Sequence, residues 1–132
     1  DSSGDWDNTK ALLGIDGLIV YPGAELPVID AIRLGAPGCI SATANLNGTD
    51  ISEVITLCHA GAWDAAEAKH KKVCAVRLLF QDYAPIPAQK ALLARQLGQP
   101  SWNNLRPPMQ PMATDKLNAL ANALDKEFDM KF

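Results

Sequence analysis

Two apolar stretches decide the fold of this chain: GLIVY at residues 17–21 and GCISAT at residues 38–43. Each is a short run of mainly apolar and β-branched residues without charged residues among them, which is typical of a strand that is buried on both faces. Each is followed by residues that favour turns, Pro22 and Gly23 after the first run and Asn45 to Gly48 after the second. We therefore predict two strands of a parallel sheet.

Helical periodicity separates and follows these two runs. Apolar stripes at helical spacing, with glycine stops, predict helices at residues 6–13, about 27–35, 50–60, 64–81, 87–97 and 114–128. A loop is predicted at 44–48, and Asp50 with Glu53 resembles a capping box at the start of the next helix. Because the predicted strands all precede residue 61, we divide the chain into residues 1–61, the last βα units, and residues 62–132, a C-terminal helical extension.

Two buried strands cannot complete a sheet, because each leaves an edge of backbone donors and acceptors without partners. Further parallel strands are therefore expected from an upstream half. A closed barrel of βα units needs about 250 residues, whereas this chain has 132. The predicted fold class is α/β: the C-terminal part of a (β/α)8 TIM barrel, followed by extra C-terminal helices. The N-terminal half of the same barrel is the expected partner.

The composition argues against several kinds of partner. The chain is 48% hydrophobic and 20% charged with a net charge of −3, as in an ordinary globular protein. It has no basic face that could neutralise a run of phosphates, so nucleic acid is not an expected partner. No apolar run reaches the roughly 20 residues that span a bilayer, so no membrane partner is expected either.

Cysteine usage predicts the compartment. Cys39, Cys58 and Cys74 are odd in number, widely spaced and set among apolar residues, which is typical of reduced thiols in a cytoplasmic protein. His70 lies four residues before Cys74 on a predicted helix, a spacing that zinc sites use. The chain has no CxxC or HxxxH pair, however, so we predict no metal site.

Four segments match one known pattern. The stretch LGAPGCISATAN, residues 34–45, resembles the LGAxGxISxTAN stretch on the last barrel strand of the dihydrodipicolinate synthase and N-acetylneuraminate lyase family. PIPAQKAL, residues 85–92, is similar to that family's PxPxK segment, and LRPP, residues 105–108, resembles the connector before its last helix. The opening DSSGD, residues 1–5, looks like the residues that directly follow the family's Schiff-base lysine. The resemblance covers essentially the whole chain.

The resemblance implies a class I lyase or aldolase that acts on pyruvate or another 2-keto acid. Its register places the catalytic lysine immediately before Asp1. An amine that condenses with the ketone gives an iminium, an electron sink that makes or breaks the adjacent C–C bond without a metal or a cofactor. None of the lysines in this chain follows the C-terminal end of a predicted strand, where barrel enzymes hold their catalytic groups. The family also implies a homo-oligomer, a tetramer.

Four substrate-binding residues are implied by the resemblance. Ser2 matches a hydroxyl-bearing position that contacts substrate, Gly23 a glycine that presents its carbonyl to the pocket, and Ile40 a residue that lines the pocket beside pyruvate. Glu25 matches an acidic residue that binds substrate hydroxyls in the sialic-acid branch. The first three also have structural alternatives: a turn or N-cap serine, a turn glycine with positive φ, and a buried strand residue.

The substrate is less well determined than the chemistry. The chain has Leu26 and Ala42 where the sialic-acid branch has an acidic residue and a serine, so sialic acid is disfavoured. Condensation of pyruvate with an aldehyde, cleavage of a 2-keto-3-deoxy sugar acid and a dehydration all remain open. Two other classes of function remain as well: a barrel homologue without catalysis that binds a ligand, and a helical oligomerisation module. The strand runs argue against the module, because buried strands without partners favour aggregation.

Overall fold

A computed structural model describes the whole chain, residues 1–132. It contains two compact units, Asp1–Arg77 and Leu78–Phe132, whereas the boundary predicted after residue 61 falls in the loop between two helices. The helices are α1 (Trp6–Leu13), α2 (Val28–Arg33), α3 (Ala44–His59), α4 (Trp63–Leu79), α5 (Pro85–Leu97) and α6 (Thr114–Phe128), with 3₁₀ turns at Phe80–Asp82 and Pro100–Asn103. None of the helices has the length and apolar composition needed to cross a membrane.

Helix ends follow the local sequence signals. The bounds of α1 and α6 are those predicted, and α1 begins after Asp5, whose carboxylate accepts the N–H groups of Asp7 and Asn8 at 2.9 and 3.2 Å. Such a cap satisfies backbone donors that have no partner inside the helix. In the second half of the chain, α5 ends at Leu97 and is followed by Gly98, which has a left-handed φ of 62°, a conformation that glycine adopts readily.

The third helix begins earlier than predicted. The loop expected at residues 44–48 is the first turn of α3, which starts at Ala44. The N–H groups of Leu46 and Asn47 donate to the Thr43 carbonyl at 2.9 and 2.8 Å, so these turn-favouring residues complete helical hydrogen bonds. Asn47 has φ −120° and ψ 27°, which leaves a kink between this first turn and the rest of α3.

Asp50 and Glu53 join α3 to α4 and do not form the predicted capping box. Both carboxylates pair with Lys69, at 3.0 and 2.5 Å, and Asp50 also pairs with Lys72 at 3.1 Å. The two lysines lower the pKa of Asp50 against the opposing effect of its partial burial. The network therefore holds two consecutive helices together at the surface.

No residue of the chain forms a β-strand, which corrects the two strands predicted at 17–21 and 38–43. A strand requires a ladder of backbone hydrogen bonds to a neighbour. The only such bond here joins the Ile40 N–H to the carbonyl of Pro22, the residue directly after the first segment, at 3.0 Å. The apolar pattern was therefore read correctly as non-helical, but the chain by itself does not supply the ladder.

One face of both segments is uncovered. Ile19 and Ile40 are 74% and 71% exposed, whereas Val20 and Thr43 are buried. Successive side chains of an extended segment point to opposite faces, so one face packs inwards and the other is open. Exposed apolar surface of this kind is typical of protein–protein interfaces and of ligand-binding grooves.

The core of the first unit lies among α2, α3 and α4. Its buried residues are Val28, Ile29, Ile32, Ile51, Val54, Cys58, Ala66 and Val73. At the edge of this core, the Arg33 guanidinium lies 5.1 Å from the centre of a Trp63 ring and 2.5 Å from the Glu67 carboxylate. The removal of these apolar side chains from water is the main force that stabilises the unit.

The second unit is built around α5. This helix packs against α6 and against the 3₁₀ turn at Pro100–Asn103. Its largest buried side chains are Phe80, Leu92, Leu120 and Leu124. Arg95 donates to the Asn118 side-chain oxygen at 3.1 Å, which adds a polar contact between α5 and α6.

Replacing Leu124 by alanine is expected to lower the free energy of unfolding by about 2–5 kcal/mol, because a fully buried leucine leaves a cavity when it is truncated. Leu97→Ala is the matched control: it removes the same atoms from a side chain that is 50% exposed, so its effect is expected to be much smaller. Urea denaturation followed by circular dichroism measures both. Equal losses would mean that α6 is not packed as described.

Candidate active site

Three chain segments meet at the turn that follows the first apolar stretch. The backbone nitrogen of Asp1 donates to the Tyr21 carbonyl at 2.7 Å. The Ile40 N–H donates to the next carbonyl along, that of Pro22. Gly23 completes the turn and packs against the backbone of residues 1 and 2. The structure therefore brings together three of the four predicted site residues: Ser2, Gly23 and Ile40.

Gly23 is required here by close packing. A Cβ at this position would lie 2.9 Å from the Asp1 carbonyl oxygen and 3.0 Å from the Ser2 Cα, both backbone atoms that cannot swing away. Its φ is not among the positive values that glycines elsewhere in the chain adopt. The alternative of a turn glycine with positive φ is therefore wrong, and only the absence of a side chain explains the residue.

Ser2 and Ile40 both have surface available to a ligand. Ser2 is exposed and does not cap α1, because Asp5 holds the N-cap position. Ile40 is 71% exposed, so it is not the buried strand residue of the structural alternative. Their roles in substrate binding stay predictions, but neither side chain is used in the packing of this chain.

Asp1 and Thr9 hold the first residues of the chain in place. The Asp1 carboxylate accepts the Ser3 N–H at 3.0 Å, the Ser3 hydroxyl at 3.1 Å and the Thr9 hydroxyl at 2.5 Å. Thr9 is itself buried within α1. Sequence reasoning missed both residues. The only signal was a threonine eight residues after an aspartate.

Glu25 is turned inwards. It has no exposed surface, and its two carboxylate oxygens accept hydrogen bonds from the hydroxyls of Ser41 and Thr43. In this chain both oxygens of Glu25 are engaged internally, and its predicted contact with substrate hydroxyls stays a prediction. The signal for its partners was present in the sequence, because residues 41 and 43 alternate with the exposed Ile40 and so share the opposite face.

His70 and Cys74 lie beside this carboxylate on α4. The His70 Nε2 is 2.8 Å from the Glu25 carbonyl oxygen and 3.3 Å from the Cys74 Sγ. Because a carbonyl oxygen can only accept, Nε2 carries the proton in this contact. The four-residue spacing noted in the sequence thus corresponds to a direct contact between the two side chains. No group of three or more histidine, cysteine, aspartate or glutamate side chains is placed to hold a metal ion.

A separate cavity of about 300 Å³ lies in the second unit. It is lined in part by Tyr83, Pro87 and Lys116, and none of the four predicted site residues borders it. We therefore place the candidate site in the first unit, at the turn formed by residues 21–23.

Comparison with known proteins confirms the resemblance inferred from the sequence. A model of the dihydrodipicolinate synthetase family matches residues 1–127. The chain therefore belongs to this family. A 4-hydroxy-tetrahydrodipicolinate synthase from Methanococcus maripaludis is 32% identical over 107 residues, which are 80% of this chain and 36% of that relative. One from Buchnera aphidicola is 31% identical over 112 residues, which are 83% and 37% of the two chains.

Solved structures share the fold. Dihydrodipicolinate synthase from Agrobacterium tumefaciens matches with a TM-score of 0.76 at 25% identity, over 97% of this chain and 42% of that one. N-acetylneuraminate lyase from Fusobacterium nucleatum in complex with pyruvate matches with a TM-score of 0.78 at 19% identity, over 96% and 42%. The second likeness shows the fold alone. The chain thus spans less than half the length of these relatives and corresponds to their C-terminal part.

Gly23→Ala is expected to lower the free energy of unfolding by about 1–3 kcal/mol, because the added methyl group overlaps backbone atoms that must shift. Gly38→Ala is the matched control, since a Cβ there would meet only the Ile55 side chain, at 3.4 Å. Thermal and urea unfolding of both variants measure the difference. If Gly23→Ala is as stable as Gly38→Ala, residues 1 and 2 do not pack on the turn.

Cys39 is expected to resist alkylation at neutral pH. Burial raises its pKa from 9.0 to about 11, and the charge of Glu25 adds to the effect. The rate of reaction with iodoacetamide should rise about tenfold per pH unit between pH 8 and 10, because the thiolate is the nucleophile. Because the pKa is raised in the fold, the folded state binds the thiol proton more tightly than the unfolded state does. The thiol therefore contributes its full stabilisation below pH 9, and this contribution is lost as the pH rises towards 11. Peptide mapping of folded and urea-unfolded protein measures the rates, and equal rates would contradict the assignment.

Proposed function

We propose that this chain is the C-terminal part of a pyruvate-dependent class I lyase or aldolase of the dihydrodipicolinate synthase type. In this proposal a lysine immediately before Asp1 forms a Schiff base with pyruvate or another 2-keto acid, and the enzyme makes or breaks a C–C bond next to it. The observation that carries the proposal is the meeting of Ser2, Gly23 and Ile40 at one turn, directly beside the residue that would follow the lysine.

The position of Asp1 supports a lysine at this turn. The Asp1 nitrogen donates a hydrogen bond to the Tyr21 carbonyl, and the Asp1 carboxylate accepts hydrogen bonds from the Ser3 and Thr9 hydroxyls. A residue joined to that nitrogen by a peptide bond would have its carbonyl carbon held next to the turn. Its backbone would be restrained before any substrate binds, which is the preorganisation that covalent catalysis requires.

The chain supplies groups of three kinds to this chemistry. We assign the Ser2 hydroxyl to a hydrogen bond with the substrate, the Gly23 carbonyl to the polar wall of the pocket, and the Ile40 side chain to its apolar wall. An apolar wall disfavours the protonated amine and so moves a lysine towards its nucleophilic neutral form. The amine adds to the ketone with loss of water. The resulting iminium then accepts the electron pair of the C–C or C–H bond that breaks, and no metal or cofactor is needed.

The names of the relatives favour condensation of pyruvate with an aldehyde, as in 4-hydroxy-tetrahydrodipicolinate synthase. Cleavage of a 2-keto-3-deoxy sugar acid is the second reaction that the proposed site accommodates. A long polyhydroxylated substrate such as sialic acid is disfavoured. Leu26 and Ala42 offer it no hydrogen bonds, and Glu25 is buried with both oxygens engaged.

The expected partners follow from the uncovered surface. The exposed apolar side chains of Ile19, Tyr21 and Ile40 lie on segments whose backbones have few partners in this chain. We propose that strands of the N-terminal half of the same barrel pair with the backbones of these two segments and complete the ladder. A homotetramer in the cytoplasm completes the proposal, and the three free cysteines agree with a reducing compartment.

Borohydride reduction in the presence of pyruvate tests the Schiff base. The whole protein that contains this chain is expected to gain the mass of one reduced pyruvyl group, and peptide mapping should place it on a lysine adjoining Asp1. Omission of pyruvate is the control, and acetate, which has no ketone, should give no adduct. A folded protein that forms no adduct would contradict the lyase proposal and favour a barrel homologue that binds a ligand without catalysis.

A further inference from the structure

A carboxylate without a cation partner lies behind the candidate site. Glu25 is completely buried, and none of the ion pairs in the chain includes it. Only the hydroxyls of Ser41 and Thr43 form hydrogen bonds with its carboxyl group. Buried polar groups add little net stability, because the cost of desolvation offsets their hydrogen bonds, and one attested use is to select one specific arrangement.

We propose that Glu25, Ser41 and Thr43 are positioning residues: they hold the turn at residues 21–23 and the backbone of Ile40 in the geometry that binds the keto acid. We call these three residues the carboxylate cluster. The inference rests on the proposed function and deepens it, because it assigns the shape of the keto-acid site to side chains that do not touch the substrate.

The carboxylate cluster joins the two segments that form the site. Between these segments the backbone contributes one hydrogen bond, from Ile40 to Pro22 at 3.0 Å. The carboxylate lies three residues beyond Pro22, and its two hydroxyl partners lie one and three residues beyond Ile40. Those hydroxyls are 3.0 Å apart, so the three side chains form a closed triangle next to the backbone bond. One hydrogen bond alone leaves the segments free to rotate about it, and the triangle removes that freedom.

His70 anchors the same turn from the other side. Its Nε2–H donates to the Glu25 carbonyl at 2.8 Å, which ties the turn to α4 across 45 residues of sequence. The helix α4 is in turn joined to α3 by the ion pairs of Lys69. The side chain of Glu25 therefore faces the second segment, while its backbone carbonyl is held by α4.

The cluster and the substrate lie on opposite faces. The side chains of Ser41 and Thr43 point towards Glu25, whereas those of Ile40 and Ala42 are exposed. Successive residues of an extended segment alternate between faces. The hydroxyls can therefore influence a ligand beside Ile40 only by fixing the backbone between them.

Thr43→Val and Thr43→Ser form a matched pair for the test. Valine keeps the size of threonine and removes the hydroxyl, whereas serine keeps the hydroxyl and removes a methyl group. In the whole protein, Thr43→Val is expected to raise the exchange rate of the Ile40 amide hydrogen by about tenfold, because one of the two hydrogen bonds to the buried carboxyl group is lost. It should raise the pyruvate concentration for half-maximal borohydride trapping by a similar factor, with a smaller change in the maximal rate. Thr43→Ser should resemble the unmodified protein in both measurements.

Two further variants separate positioning from general destabilisation. Ser41→Ala, at a less buried position, tests the same carboxylate if Thr43→Val does not fold. Leu124→Ala lowers stability in the second unit and is expected to leave the half-maximal pyruvate concentration unchanged.

An unchanged Ile40 exchange rate in Thr43→Val, or equal effects of valine and serine on trapping, would overturn the positioning role even where the unmodified protein forms the adduct. If the unmodified protein forms no adduct but Ile40 exchange responds as expected, the proposed function fails, and the cluster has only a structural role.

Discussion

The burial of the Glu25 carboxylate constrains the candidate site more than any other interaction in the chain. A carboxyl group that is removed from water needs hydrogen-bond partners, and here only the hydroxyls of Ser41 and Thr43 supply them. This requirement holds together two segments that share a single backbone hydrogen bond. In our proposal, the relative position of Gly23 and Ile40, and so the shape of the keto-acid site, follows from it.

Helices α2, α3 and α4 and the two apolar segments differ in how far this chain satisfies their backbone hydrogen bonds. Each helix satisfies most of its backbone groups within itself, and α2, α3 and α4 bury their apolar sides against one another. The segments at 17–21 and 38–43 have buried residues on one face only. Their backbone groups need neighbours on both sides, which agrees with a chain that spans less than half the length of its relatives.

Local signals in the sequence predicted the helices closely. Gly98 ends its helix as expected, and α1 and α6 have the predicted bounds, although the residue that caps α1 is Asp5. The start of α3 was wrong, because the turn-favouring residues 44–48 complete helical bonds to the Thr43 carbonyl. The predicted strands did not form, because a strand depends on a neighbour, and apolar composition cannot show whether that neighbour is present.

The sequence by itself determined the family and the helical segments, because these follow from short motifs and from local backbone preferences, and it implied four residues of the proposed site. Only the tertiary structure decided the direction of each side chain. Glu25 and Gly23 are two residues apart, yet one is buried against hydroxyls from a distant segment and the other packs on the backbone of Asp1. The direction of a side chain depends on contacts between residues far apart in the chain, and no local sequence pattern encodes the distance between their atoms.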